Sequence, residues 1–499
     1  MVKATLRSAV LLGIAAIGVL AAGMPSFAEV QNVKVGGDIT VRAFHRENLD
    51  LHAQSGAGAT GGGVGAVNAT QGQLDGDNFL MSTVGINVGA DLTENISAFI
   101  RIANERDWNQ TANTAAGDFD ISQAYVAFKE LFYSPLTVSI GQQPIVWGRG
   151  FVLGSNLLPG TLLGGADDRN ASINANEYTD FTAFDAIRAT IDLSSFTGNV
   201  PLTADYVYIK LDETLVGEDD DQTAQGLNFS TKFDMGEAEA YYLSQNDESP
   251  VGNGGAEDGR IHTLGLRSSA KPVEGAYLYG ELAYQWGNRV TDLEGVQASG
   301  GGHAAWAANL GAEYTLTGVA MNPMFGAEWR FYSGNECSDT GGNAVNGACA
   351  GWQAIAPGYF RTAIREFQTR RSVTGFYATQ QNGVTSGQTN QHELGLYTGF
   401  NPLEDLRVGS RLSWFILPVG AVPPTSPAGV GGNRNSFIGT EWDTQFTYDY
   451  TDDVQFGFLY ALFLPGNVFR DAGGIAGTAA AIGGDATAQQ LVITVSVKF

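Results

Sequence analysis

Cysteine is nearly absent from this 499-residue chain: Cys337 and Cys349 are the only two, both within one Gly/Asn-rich run. So low a count excludes a disulfide-stapled scaffold or a multi-cysteine metal module. No Cys-x-x-Cys-His motif occurs, so the chain attaches no c-type haem of its own. Long apolar runs are missing too. Beyond the amino-terminal segment nothing approaches the roughly 20 consecutive apolar residues of a spanning helix. Basic residues are few, 27 Lys and Arg against 52 Asp and Glu, and the net charge of −25 argues against a nucleic-acid partner. Lysine is the scarcer cation, so arginine carries most of the positive charge.

The amino terminus reads as an address. Lys3 and Arg7 precede an apolar run from Ala9 to Ala22, and Ser26-Phe27-Ala28 supplies small residues after Pro25. This pattern predicts a signal peptide over residues 1–28, cleaved before Glu29, and an exported barrel over 29–499. Loss of Lys3 and Arg7 takes the net charge from −25 to −27. In an exported chain, Cys337 and Cys349 are expected to form a disulfide closing a small loop, and a metal site is the weaker reading because no histidine lies nearby.

What the chain has in abundance is glycine, 66 residues, and tyrosine, 18, with a period-2 apolar pattern. In a strand, successive side chains point to opposite faces. Leu491, Ile493, Val495, Val497 and Phe499 therefore share one face, while Thr494, Ser496 and Lys498 share the other. A soluble edge strand carries the same period, so the rest of the chain must decide. Scanning for alternation bounded by turn residues gives about 18 strands, among them Val35 to Phe44, Ser122 to Phe128, Leu136 to Ile145, Phe181 to Asp192, Met321 to Tyr332, Leu406 to Phe415 and Gln490 to Phe499. Their connections alternate in length. Short turns such as 91–94, 234–236, 401–404 and 450–452 separate long segments such as 45–82, 146–180, 287–305, 333–390, 417–438 and 464–489. An even strand count with long loops on one rim and short turns on the other predicts an all-β transmembrane antiparallel up-and-down β-barrel in a bacterial outer membrane. Trp286, Tyr332, Trp414, Tyr448 and Tyr450 near strand ends are expected in two aromatic girdles.

Sending each strand's apolar parity to lipid sends the other parity into the lumen. That lining contains Arg42, Arg101, Arg188, Arg267, Arg330, Arg407 and Arg411, with Lys210, Lys232 and Lys498. The same rule places Asp38, Glu281, Glu313, Glu328, Glu393, Glu441, Asp443 and Asp449 inward, and Arg149 follows at the start of a long loop. Two readings compete. A ladder of guanidiniums guides an anionic solute, or opposed Arg and Glu side chains pair across strands and solvate the wall. Acidic runs such as Glu218 to Asp221 read as solvated loops, with divalent-ion bridging the weaker alternative. Within the long 333–390 segment, Arg361, Arg365, Arg370 and Arg371 cluster around Ile364 and Phe367. That segment is expected to fold partly into the pore or over its mouth.

The stretch Val138-Ser139-Ile140-Gly141-Gln142-Gln143-Pro144-Ile145-Val146-Trp147-Gly148-Arg149, followed by Phe184-Asp185-Ala186-Ile187-Arg188, resembles the alginate-export family of outer-membrane porins. A second block, Ile438 to Asp443 with Phe463-Leu464-Pro465-Gly466, resembles that family's carboxy-terminal elements. The resemblance covers about residues 136 to 192 and 391 to 499, and implies an 18-stranded barrel that passes an anionic polysaccharide through an arginine-lined constriction. Gln142 departs from it, standing where the family commonly has arginine.

The leading expectation is a passive channel for an anionic saccharide or for small solutes, with no cofactor, surrounded by outer-membrane lipid and lipopolysaccharide. An outer-membrane hydrolase is a second class, yet His262 and His392 lack a serine two residues away on the same face and read as rim residues. A third is a sleeve around a partner such as a multihaem cytochrome or another periplasmic protein.

Overall fold

A computed structural model describes residues 32–49, 77–108, 119–133, 135–150, 152–154, 178–198, 200–212, 221–247, 259–288, 302–334, 351–352, 361–368, 390–421, 435–467 and 486–499. The predicted signal peptide and both cysteines lie outside these residues.

Eighteen antiparallel strands follow in chain order: β1 (Asn32–Glu47), β2 (Asp77–Thr93), β3 (Ile96–Asp107), β4 (Asp120–Phe128), β5 (Leu136–Gln143), β6 (Phe184–Asp192), β7 (Leu202–Asp212), β8 (Gln222–Phe233) and β9 (Gly236–Asp247). The second half adds β10 (Gly259–Ala270), β11 (Ala276–Asn288), β12 (Gly302–Thr315), β13 (Met324–Tyr332), β14 (Gln391–Leu403), β15 (Leu406–Ala421), β16 (Asn435–Asp449), β17 (Val454–Pro465) and β18 (Ala488–Lys498). Each strand pairs with its neighbours in sequence, and β1 also pairs with β18. The sheet therefore closes on itself and leaves no unpaired edge, as a lipid-crossing sheet must. At the seam Gly37 N–H donates to Phe499 O at 2.8 Å and Phe499 N–H returns to Gly37 O at 3.0 Å.

The alternation read from the sequence sets the two faces. Leu266, Trp306, Leu396, Phe446 and Ile493 are exposed on the outside, while Arg330, Glu281, Glu393 and Glu441 are buried on the inside. A one-residue slip would exchange these sets, so register is strongly specified. Among the described residues no helix is long and apolar enough to cross a membrane; the crossing is made by strands.

Many strand ends differ from the sequence reading by a few residues, and proline marks two of the differences. β5 stops at Gln143, because Pro144 has no N–H to give the ladder. β6 starts at Phe184 rather than Phe181, and β13 starts at Met324, just after Pro323. Tyr332 is a correction. It shares parity with Glu328 and Arg330, is 1% exposed, and packs inside the barrel instead of joining a girdle. The outer aromatic layer is built by others: Tyr284 packs on Trp306 with centroids 4.5 Å apart, and Tyr450 packs edge-on to Phe456 at 6.1 Å.

Candidate pore constriction

Three loop segments turn into the barrel and dock on its inner wall. The outbound arm of the β5–β6 connection, residues 144–150 and 152–154, brings Trp147 N–H to Leu153 O at 3.1 Å. Gly148, with φ +61°, donates its N–H to Glu239 Oε2 at 2.8 Å, and Arg149 N–H donates to Glu281 Oε2 at 3.0 Å. A side chain at Gly148 would meet Glu281 Oε1 at 2.5 Å, so glycine lets the turn sit on that carboxylate. Tyr241 Oη donates to Glu281 Oε1 at 2.6 Å, and Arg267 holds Glu239 at 2.6 Å and Glu237 at 2.5 Å. Ile145, Trp147, Val152 and Leu153 are buried against Val207, Ile209, Tyr241, Leu243, Tyr332 and Trp352.

The return arm, 178–183, docks near the β1–β3 wall. Tyr178 lies edge-on to Phe44 at 5.3 Å, beneath the Arg42 guanidinium 4.9 Å from its ring. Thr179 Oγ1 donates to Glu105 Oε2 at 2.7 Å, and Asp180 N–H donates to Glu105 Oε1 at 2.5 Å. Arg101 bridges strand and arm, at 2.7 Å from both Asp38 and Asp180. Phe181, buried with Ala103, completes the contact.

The third arm is part of the β13–β14 connection. Residues Ala363–Gln368 form one π-helical turn. Its first amides rest on strand β16: Ile364 and Arg365 donate to the two oxygens of Glu441 at 2.6 and 2.8 Å, and Ala363 donates to Asp443 at 3.3 Å. Ile364 is wholly buried among Phe415, Leu417, Ile438 and Phe463, an apolar patch on an otherwise polar inner wall. The expectation that this connection enters the barrel thus has a defined anchor.

Beside that arm lies a buried ion-pair network. Arg330 meets Glu393 at 2.5 Å, while Arg411 meets Glu393 at 2.6 Å and Glu328 at 3.1 Å. Arg361, from the arm, reaches Glu328 at 3.1 Å, and Asn309 donates to Glu328 at 2.7 Å. The arms converge at two tyrosines. Arg149 lies 3.8 Å above the Tyr279 ring, Arg361 lies 5.8 Å from the Tyr397 ring centre, and Arg361 Nη2 approaches Tyr279 Oη at 3.5 Å. Between the return arm, the β13–β14 arm and the β14–β17 wall lies a cavity of about 860 Å³, bordered by Asp180, Glu313, Arg361, Tyr397, Arg411 and Asp443.

The sequence-predicted lumen arginines are spread around this interior rather than stacked in one ladder. Arg101, Arg267, Arg330 and Arg411 are each held by carboxylates, and Arg188 pairs with Asp205 at 3.1 Å. Arg407 is half-exposed at the short-turn end of β15 and pairs with Asp449 at 2.7 Å. Arg42 donates to Thr83 at 3.4 Å, and Lys210 pairs with Asp221. Glu441 and Asp443 serve as anchors for the third arm. Sequence reasoning missed Tyr241, Tyr279 and Tyr397 and the return arm. Their only sequence signal is glycine at matching parity on the adjacent strand, for a Cβ at Gly265, Gly311 or Gly326 would strike the Tyr241, Tyr279 or Tyr397 ring at 2.0, 2.1 and 2.3 Å. His262 and His392 face outward into aromatic groups, with Tyr242 and Trp286 around the first and Trp329 and Phe331 around the second. No group of three or more metal-ligating side chains occurs among the described residues.

The profile of the alginate export family matches residues 66–482. The chain belongs to that family. Among solved structures, it is similar to the outer membrane channel DcaP of Acinetobacter baumannii, at 11% identity over 96% of this chain and 99% of that one, with a TM-score of 0.42. It is also similar to OccK11 (OpdR) of Pseudomonas aeruginosa, at 10% identity over 94% and 96%, TM-score 0.49. A Rhodopseudomonas blastica porin variant matches at 11% identity over 94% and 100%, TM-score 0.38. No curated protein sequence matches the chain. Family membership and the closed barrel identify an outer-membrane channel, with lipid outside and solute within.

Proposed function

We propose that this alginate export family member is a passive channel for carboxylate-bearing, hydroxyl-rich solutes, with sugar acids as the class and alginate fragments among them. The observation that carries this reading is the meeting of Arg149 and Arg361, from two different inward loops, over Tyr279 and Tyr397. A guanidinium stays charged at any relevant pH and presents a planar fork that matches a carboxylate. Asp180 and Glu313 on the same cavity offer acceptors for hydroxyls. Arg42, Arg101, Arg188, Arg267, Arg330 and Arg407 are assigned here to holding the wall and the arms, because each bonds to a wall or arm residue, whereas Arg361 keeps Glu328 as a partner and still reaches Tyr279.

The sleeve reading is disfavoured, because the docked arms take up lumen that a partner would need. A hydrolase is disfavoured because His262 and His392 point away from the cavity. Purified protein in a planar bilayer, under a salt gradient, tests the proposal: it should conduct, favour anions, and show current block by sodium glucuronate but not by glucose. A silent membrane, or a pore that prefers cations and ignores glucuronate, would overturn it.

A further inference from the structure

The cavity has an uneven lining. One stretch of its floor carries no side chain at all: Gly399 on β14 and Gly409 on β15 are register partners, and both share the inward parity of Tyr397 and Arg411. This is unlike inward glycines nearby on β13 and β14. Gly395 and Gly326 are covered by Arg411 and Tyr397, whose atoms an added Cβ would strike at 2.2 and 2.3 Å. At Gly409 an added Cβ would meet nothing nearer than Thr398 O at 3.9 Å, and at Gly399 it would meet Met324 Cε at 3.3 Å and Val408 O at 3.7 Å. Gly409 is thus bare backbone facing open space, and the end of the Met324 side chain lies against Gly399.

Trp147, Trp352, Tyr241 and Tyr332 occupy the region of β7–β13, and Ile364, Phe415 and Phe463 fill the region of β15–β18 above the cavity. Across from the glycine strip stand Thr179 and Asp180 of the return arm. A second observation points to a ligand. Asp443, buried on the cavity's edge, accepts from Ala363 N–H through Oδ1, while no N–H of the described residues reaches its Oδ2 and the Glu441 side chain lies beside it. A buried carboxylate oxygen left unmatched is costly, and a hydroxyl-bearing guest or water relieves it.

We infer that solutes cross the barrel through a slot between the Gly399–Gly409 strip and the return arm, and that this slot is a binding subsite for one to a few sugar rings at a time. This rests on the channel reading above and adds the location of the path and the size of its occupant. A cavity of about 860 Å³ falls in the range of roughly 300–1,000 Å³ that holds ligands of small-molecule size. Arg361 and Arg411 border one end, where a carboxylate would sit, and Asp180 and Glu313 offer oxygens to hydroxyls around it. At Gly409 a ring can lie against backbone with no side chain in its way.

The test places one thiol on the strip. In full-length protein with Cys337 and Cys349 changed to serine, Gly409→Cys should fold and conduct, since its Cβ has room. A methanethiosulfonate reagent bearing a quaternary ammonium should then lower single-channel conductance by at least half, and sodium glucuronate should slow the labelling several-fold more than glucose does. Glu47→Cys, at the far end of β1, is the control site and should label without that loss. Gly409→Cys that stays unlabelled, that labels fully by mass without changing the current, or that is protected equally by glucose and glucuronate would overturn the inference. Absence of current from the parent channel would instead defeat the channel reading itself, so the two failures are distinct.

Discussion

The hydroxyls of Tyr279 and Tyr397 lie 3.1 Å apart, although the residues are 118 positions apart and sit on strands β11 and β14. Tyr397 also donates to Glu313 at 2.9 Å. Each ring lies flat over a glycine of a neighbouring strand, Gly311 under Tyr279 and Gly326 under Tyr397. The pair thus fixes the floor on which the arginines of two separate loops rest.

Filling either glycine should displace its tyrosine. Gly311→Val or Gly326→Val forces a branched side chain into space the ring already occupies, and overpacking of this kind costs about 1–3 kcal/mol. The temperature at which the folded barrel converts to the slower-migrating unfolded form on a gel should fall. Gly89→Val, where an added Cβ meets nothing within 4 Å, should leave it unchanged.

Loss of the Glu441 carboxylate should release the β13–β14 arm. Glu441→Ala leaves the amides of Ile364 and Arg365 without their acceptors, at about 1–3 kcal/mol for each buried donor. Barrel assembly should persist, since β15–β16 and β16–β17 pairing is untouched. Single-channel recordings should show larger or more frequent high-conductance openings, and recordings identical to wild type would count against a docked arm.

Trp147→Ala should loosen the outbound arm. The indole is 1% exposed, and removing so large a buried side chain costs about 3–5 kcal/mol. Limited proteolysis on intact vesicles should cut the β5–β6 connection at least several-fold faster than in wild type.

Ion selectivity should separate the arginines into two groups. Replacing Arg149 and Arg361 together by glutamine should move the reversal potential under a salt gradient toward cations, and the shift should shrink at high ionic strength, where screening acts within about 3 Å at 1 M. Replacing both members of a wall pair, Arg188→Gln with Asp205→Asn, keeps local charge neutral and should leave the reversal potential where it was.

The wall was legible in the sequence because its rule is local. Alternation at Leu406, Val408, Leu412 and Trp414 is enough to send Arg407 and Arg411 inward, and the same logic places Glu281, Glu328 and Glu393. It also places Tyr332 inward, and only its position near a strand end suggested a girdle. The constriction was less legible because its contacts are remote. Nothing near Glu281 announces that Arg149, 132 residues earlier, will sit on it, nor does Ile364 announce the apolar patch formed by Phe415, Ile438 and Phe463. The ion pairs fall between these cases: register brings Arg330 opposite Glu393 and Arg411 opposite Asp443, yet Arg411 bonds to Glu393 and Glu328.

The seam between β1 and β18 sets a kinetic condition on making this molecule. Thr40 and Ser496, 456 positions apart in sequence, bond across it at 3.0 Å. Pairing so distant in sequence must meet its loop-closure entropy before any ladder bond repays it, although that cost grows only as the logarithm of length. Until the last strand arrives, β1 presents an open row of amides and carbonyls able to template against other chains. Any state in which β1 and β18 are apart therefore carries two open strand edges, and closing the ring removes both at once.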